Sequence, residues 1–182
     1  MTEERRVVVF IAMSLDGYIS KLDGDISFLS AIEQDGEDYG YSEFIKSVDT
    51  VIMGRKTFDL GFETGFDSPH PDKEVYILSG SERAENGLAK YFKGSLKGLV
   101  TDLKGSPGKN IYCDGGAEVI NALLSENLID ELIISIVPVM LGDGISLFKS
   151  GRPDSEMELI NTMHYNNGLV QLHYKRLITN QL

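Results

Sequence analysis

The chain has a single cysteine, three histidines and no apolar run that approaches the thickness of a bilayer. Cys113 alone cannot form an intramolecular disulfide, and no C-x-x-C pair or Cys/His cluster supplies a zinc framework. His70, His164 and His173 show no ligand spacing, so no metal is expected. The opening MTEERRVVVFIAM is too short in its apolar part for a signal peptide. Cytoplasm is therefore the expected compartment, without a membrane partner. Positive charge is also scarce: 17 basic against 28 acidic residues leave a net charge of −11. That balance argues against nucleic acid or an anionic membrane as the main partner. It still permits an anionic ligand held by local backbone dipoles and a few cations. Repeats, low-complexity tracts and linkers are absent, so residues 1–182 are read as one domain with a substantial core.

What the sequence does contain is a series of strand-to-turn junctions. The most informative is Ile111–Leu124, IYCDGGAEVINALL. It reads as a strand, a glycine pair and a helix that buries Val119, Ile120, Leu123 and Leu124 on one face. Gly115 and Gly116 let a bulky group approach the backbone, and the following helix N-terminus offers unpaired N–H groups at its positive end. Such a turn suits a phosphate or pyrophosphate, although an ordinary tight connection reads the same way. A second junction, Met53–Phe58, joins a strand to a glycine, two cations and a threonine able to cap a helix. Arg55 offers a fork and Lys56 a point charge to phosphate, and both are badly placed against a helix dipole without an anion between them.

The rest of the chain supplies the scaffold. Arg6–Met13 reads as a central strand running into Ser14-Leu15-Asp16-Gly17, which places Asp16 at the carboxyl edge of a sheet. There it reads either as a functional carboxylate or, more commonly in such turns, as a turn residue beside Gly17. Residues 20–40 form a long Asp/Gly-rich loop with a helical turn around 27–34. A helix over Tyr41–Val48, strands over Thr50–Met53 and Glu74–Leu78, and the polar turn Ser79-Gly80-Ser81-Glu82-Arg83 follow. A short helix is expected over Leu88–Gly94 and a weak strand over Gly98–Thr101. Asn127–Val137 ends in a strong strand, and Pro138–Phe148 is a glycine-rich excursion with an apolar anchor. Met157–Thr162 and Gly168–Leu177 complete the pattern as strands, the latter alternating cleanly behind the turn Asn166-Asn167-Gly168.

The order strand–SLDGYI, strand–MGRKTF, strand–LSGS, strand–GGAEV resembles the dihydrofolate reductase-like superfamily. The run from Leu128 to Phe148, with PVMLGDG inside it, and Asp16 within SLDG are most similar to the riboflavin-biosynthesis reductase branch. The resemblance implies an α/β fold: one dihydrofolate reductase-like domain, with a mostly parallel central sheet, flanking helices and an antiparallel C-terminal hairpin. It implies NADPH as hydride donor, with Ala12 and Ile19 at the nicotinamide. Gly54, Arg55, Lys56 and Thr57 would then hold the pyrophosphate and ribose 2′-phosphate. Ser79, Gly80, Ser81 and Arg83 would line the adenosine end, and Gly115, Gly116, Ala117 and Glu118 would close on the pyrophosphate from the other side. The implied reaction is hydride transfer to a C=N or C=O of a small heterocycle. The resemblance implies an activity most like that of 5-amino-6-(5-phosphoribosylamino)uracil reductase, with Asp16 as first and Glu43 as second candidate for orienting or protonating the substrate. Dihydrofolate reductases carry a tryptophan in the loop after the first strand, and this chain has none. Folate reduction is the second reading and a catalytically silent NADPH-binding protein the third. Relatives of the riboflavin type pair near their last strands, which implies a homodimer.

Overall fold

The computed structural model describes residues 4–63, 70–80 and 89–177. The chain runs through β1 (Val7–Ser14), β2 (Tyr18–Ser20), a 3-10 turn (Ser27–Ile32), α1 (Tyr41–Lys46), β3 (Val48–Gly54), α2 (Arg55–Glu63) and β4 (Glu74–Leu78). It continues through β5 (Ala89–Phe92), α3 (Leu96–Lys104), β6 (Asn110–Gly115), α4 (Ala117–Ser125), β7 (Glu131–Val137), β8 (Ile145–Ser146), β9 (Met157–His164) and β10 (Val170–Arg176). The fold is the α/β architecture expected from the sequence: eight strands in the order β5-β4-β3-β6-β1-β7-β10-β9, with β2 and β8 forming a separate pair. Pairings from β5 across to β7 are parallel, and β10 is antiparallel to both β7 and β9.

Strand alternation sorts the core into two faces. Val7, Val9, Ile52, Ile111 and Cys113 pack with Leu99, Val100 and Leu103 of α3 and Val119, Ile120 and Leu123 of α4. Residues of opposite parity, Val51, Met53 and Tyr112, form a cluster with Phe58, and Phe10, Tyr41, Phe44 and Ile45 pack against it. Each fully buried Ile or Leu in these layers contributes roughly 1.5–3 kcal/mol. A third cluster holds Phe28 and Ile32 of the 3-10 turn against Val137 and Leu169, beside Ala12 and Tyr39. At the opposite, amino-terminal end of the strands, the buried Arg5 guanidinium donates to the carbonyls of Leu103 and Lys109 and to Asp49 and Thr50. It thereby ties α3 and the entry to β6 onto β3.

Two expectations fail. Ala89–Phe92 is an edge strand parallel to β4, not a helix, because every residue finds a partner there, from Val75↔Ala89 to Leu78↔Phe92. Gly98–Thr101 lies inside helix α3, not a strand. Its buried residues Leu99, Val100 and Leu103 follow helical spacing, and Ser95 caps the end by accepting from the Gly98 N–H. The helix expected over Tyr41–Val48 stops at Lys46, because buried Val48 begins β3.

Candidate active site

Strands β3 and β6 are parallel neighbours, so their carboxyl ends deliver the two glycine-bearing corners side by side. Met53 lies opposite Gly115 in register. A Cβ added at Gly54 would stand 3.2 Å from Val119 Cγ2 and 3.7 Å from the Gly115 carbonyl oxygen. A side chain at 54 would therefore crowd Val119 of α4, and Gly115, at φ +104°, occupies backbone space that side chains disfavour. The Gly115–Gly116 peptide is cis. Thr57 lies within α2 instead of capping it, and its hydroxyl accepts from the Gly116 N–H at 2.9 Å, which locks one corner to the other. Arg55 opens α2 and pairs through Nε with Asp59 at 3.1 Å, while Lys56 is exposed. The corner is therefore lined by backbone, with Gly116 at the N-cap of α4 and two cations on α2. That donor set fits a diphosphate with an additional phosphate.

Asp16 performs a different task from the one expected of a proton donor. Its carboxylate accepts from Ser14 Oγ at 2.5 Å, from the Leu141 N–H at 3.1 Å and from the Gly142 N–H at 2.7 Å. The Ser14 hydroxyl, then the Gly142 and Leu141 amides, hold its pKa at about 2. An acid that strong is ionised at neutral pH, so Asp16 anchors the 139–142 excursion to the end of β1. The 20–40 loop is docked in a similar way. Gln171 donates to the Tyr39 carbonyl and Asn167 to the Tyr39 hydroxyl, and the Tyr39 and Tyr165 rings meet edge to face at 4.9 Å. Ala12 lies in β1 opposite Ser135, and Ile19 lies in β2, which pairs with β8.

Other candidates separate from the corner. Glu43 is 85% exposed and pairs with Lys46 at 3.2 Å across one turn of α1. Its carboxylate faces solvent, set apart from the corner where the glycines meet. Asp38 caps the same helix by accepting from the Gly40 and Ser42 N–H groups. Glu118 is turned to solvent and paired with Lys149. Ser79 and Gly80 follow the end of β4, where the Ser79 N–H donates to the Phe92 carbonyl at 3.2 Å. Ser81 and Arg83 lie outside the described residues.

The sequence reading missed Asp114, which sits between the buried Cys113 and Gly115. Ile52 pairs with Cys113 and Met53 with Gly115, so Asp114 is the extra residue of a β-bulge. His70 Nε2 meets its Oδ2 at 2.8 Å, and the Tyr112 hydroxyl donates to its Oδ1 at 2.7 Å. Burial, then the Asp114 charge, raises the Tyr112 pKa well above its ordinary value, so this phenol remains a donor. Burial, with Asp114 and Asp72, likewise pushes Tyr41 up to about 12. The one signal available in sequence was an ionisable residue directly before the glycine pair.

Known proteins resemble this chain along most of its length. The model of the RibD C-terminal domain matches residues 5–171. The chain belongs to that family. This RibD C-terminal domain protein is 39% identical to the uncharacterised YwjB protein of Bacillus subtilis, over 95% of this chain and 99% of that one. A crystal structure of a Shewanella sp. PV-4 protein ascribed to riboflavin biosynthesis superposes with a TM-score of 0.85 at 32% identity, covering 94% of this chain and 99% of that one. Dihydrofolate reductase from Enterococcus faecalis, solved with NADP(H), shares the fold at a TM-score of 0.65 and 17% identity, covering 95% and 97%. The RibD C-terminal domain protein is thus reductase-like, with a dihydrofolate reductase-like fold.

Proposed function

We propose that this protein is an NADPH-dependent reductase that adds a hydride to a C=N or C=O of a small heterocycle, most like 5-amino-6-(5-phosphoribosylamino)uracil reductase. The observation that carries the reading is the meeting of Gly54–Thr57 with Gly115–Gly116 at the ends of adjacent parallel strands. Backbone N–H groups at the starts of α2 and α4 would hold the diphosphate, and Arg55 and Lys56 the 2′-phosphate. Ala12 and Ile19 would face the nicotinamide, and Ser79, Gly80, Ser81 and Arg83 the adenosine. Bound NADPH supplies the hydride; the protein aligns the acceptor, excludes water and provides a proton. Asp16 enters as an ionised positioning group for the 139–142 segment. Two copies pairing along β9 belong to the same reading.

Calorimetry with NADPH and NADH tests it. Tight NADPH binding, roughly ten-fold or more weaker NADH binding, and loss of both in Gly54→Val are expected, since one tenfold step corresponds to about 1.4 kcal/mol. No heat with NADPH would refute the reductase reading. Turnover with the ribosylaminopyrimidine phosphate, but not dihydrofolate, separates the riboflavin-type activity from folate reduction. Binding without turnover on either identifies a silent binder.

A further inference from the structure

We propose that the Tyr41 hydroxyl is a specificity-determining donor of this site, one that recognises a ring carbonyl on the substrate. The proposal rests on the reductase reading and narrows it from any small heterocycle to one that carries an oxo group on the edge turned towards α1. A heterocycle without that oxygen would leave the phenol unpaired and would bind less well.

The fold leaves a groove where such a ring can lie. On the sheet face that carries Tyr112, Phe44 and Ile45 of α1 pack with Val51 and Met53 of β3. Beyond β1 on that face, Phe28 and Ile32 of the 3-10 turn pack with Val137 of β7. Between them runs β1, whose Phe10 and Ala12 stay only half-buried although the strand is central to the sheet. A central strand left partly open in this way is the floor of a groove, with α1 as one wall and the 3-10 turn as the other.

Tyr41 stands in the α1 wall. Its ring meets Phe10 edge to face at 5.6 Å and Tyr112 at 6.4 Å, and Phe10 in turn stacks on Phe44 at 5.0 Å. Neighbouring phenols are engaged: Tyr112 donates to Asp114 and Tyr39 to the Ile32 carbonyl. Among the described residues no side-chain polar atom is both sealed from solvent and unpaired. The Tyr41 hydroxyl has no hydrogen-bond partner among them, so it must reach open space. Burial, then the Asp114 and Asp72 charges, holds this phenol at about 12, so it keeps its proton at neutral pH and can donate. The same two charges set the hydroxyl towards the carboxyl end of β6, where the groove lies. They also disfavour a phosphate or carboxylate as its partner, and Lys73 is already paired with Asp72 at 2.8 Å. A neutral carbonyl oxygen on the rim of a flat ring meets the requirement.

Steady-state reduction of the ribosylaminopyrimidine phosphate by NADPH tests this in wild type and Tyr41→Phe. Two analogues run beside it, in which sulfur, a weak acceptor, replaces one or the other pyrimidine oxygen. Tyr41→Phe should raise KM about ten-fold and leave kcat within about two-fold, the pattern of a contact made equally in ground and transition states. One thio analogue should bind about ten-fold less well than the parent compound in wild type and match it in Tyr41→Phe. In ¹³Cζ-tyrosine protein saturated with NADP⁺, the Tyr41 resonance, assigned through ring NOEs to Phe10, should move when the pyrimidine is added. The same titration with dihydrofolate, which also carries a ring oxo group, covers a folate-type substrate. An unmoved resonance with both compounds, or an unchanged KM in Tyr41→Phe, overturns the proposal and leaves the reductase reading standing, because NADPH binding decides that separately. Wild type that binds no NADPH overturns both. Should Tyr41→Phe not fold, the wild-type resonance alone decides.

Discussion

Asp16 is a carboxylate held ionised by hydrogen bonds instead of by a cation. Its folded pKa of about 2 lies below its ordinary value. Its contribution to the folded state is therefore complete above the unfolded carboxylate pKa of about 4, and disappears as the pH falls through about 2. In ¹H–¹⁵N spectra the Gly142 amide should hold its position from neutral pH down to about 4 and move between there and about 2. Asp16→Asn should shift it at every pH, and an unmoved Gly142 amide in that variant would refute the anchoring role. Residue-level chemistry of this sort was only half legible in the sequence. Asp16 drew notice through the SLDG turn, but its amide partners lie 125 and 126 positions away. Asp114 was hidden by the glycines beside it, and His70, 44 positions off, reached it only through the folded sheet.

At the level of elements, buried parallel strands announce themselves because both faces are apolar, and β1 and β4 could be read to within a residue at each end. The stretch from Leu88 to Thr101 could not. Ala89–Phe92 is too short and too polar at Lys90 to declare a period, and strand structure comes from pairing with β4. In α3, Gly98 and Val100 argue locally for other conformations, and helix wins through burial against α4 and the Ser95 cap. Ser95→Ala should accordingly destabilise the protein by about 1 kcal/mol in a thermal or denaturant melt. A change below about 0.3 kcal/mol would show that burial alone starts the helix.

Across the whole molecule, the sheet ends in β9, and Leu159, Ile160 and Met163 on it are exposed at 50%, 48% and 44%. An apolar edge strand with open backbone groups is a template for a second chain. Sedimentation should therefore show a dimer that Ile160→Lys weakens about ten-fold or more, as edge lysines do; an unchanged sedimentation profile would place any self-association elsewhere. The two glycine corners raise a different matter, concerning descent. On the proposed function, main chain from neighbouring strands would build the coenzyme grip while side chains on the Tyr112 face would border the acceptor, so the two could drift independently. On that reading, a lineage with this scaffold could exchange one metabolite for another by altering a few side chains on that face, and inherit its reductant unchanged.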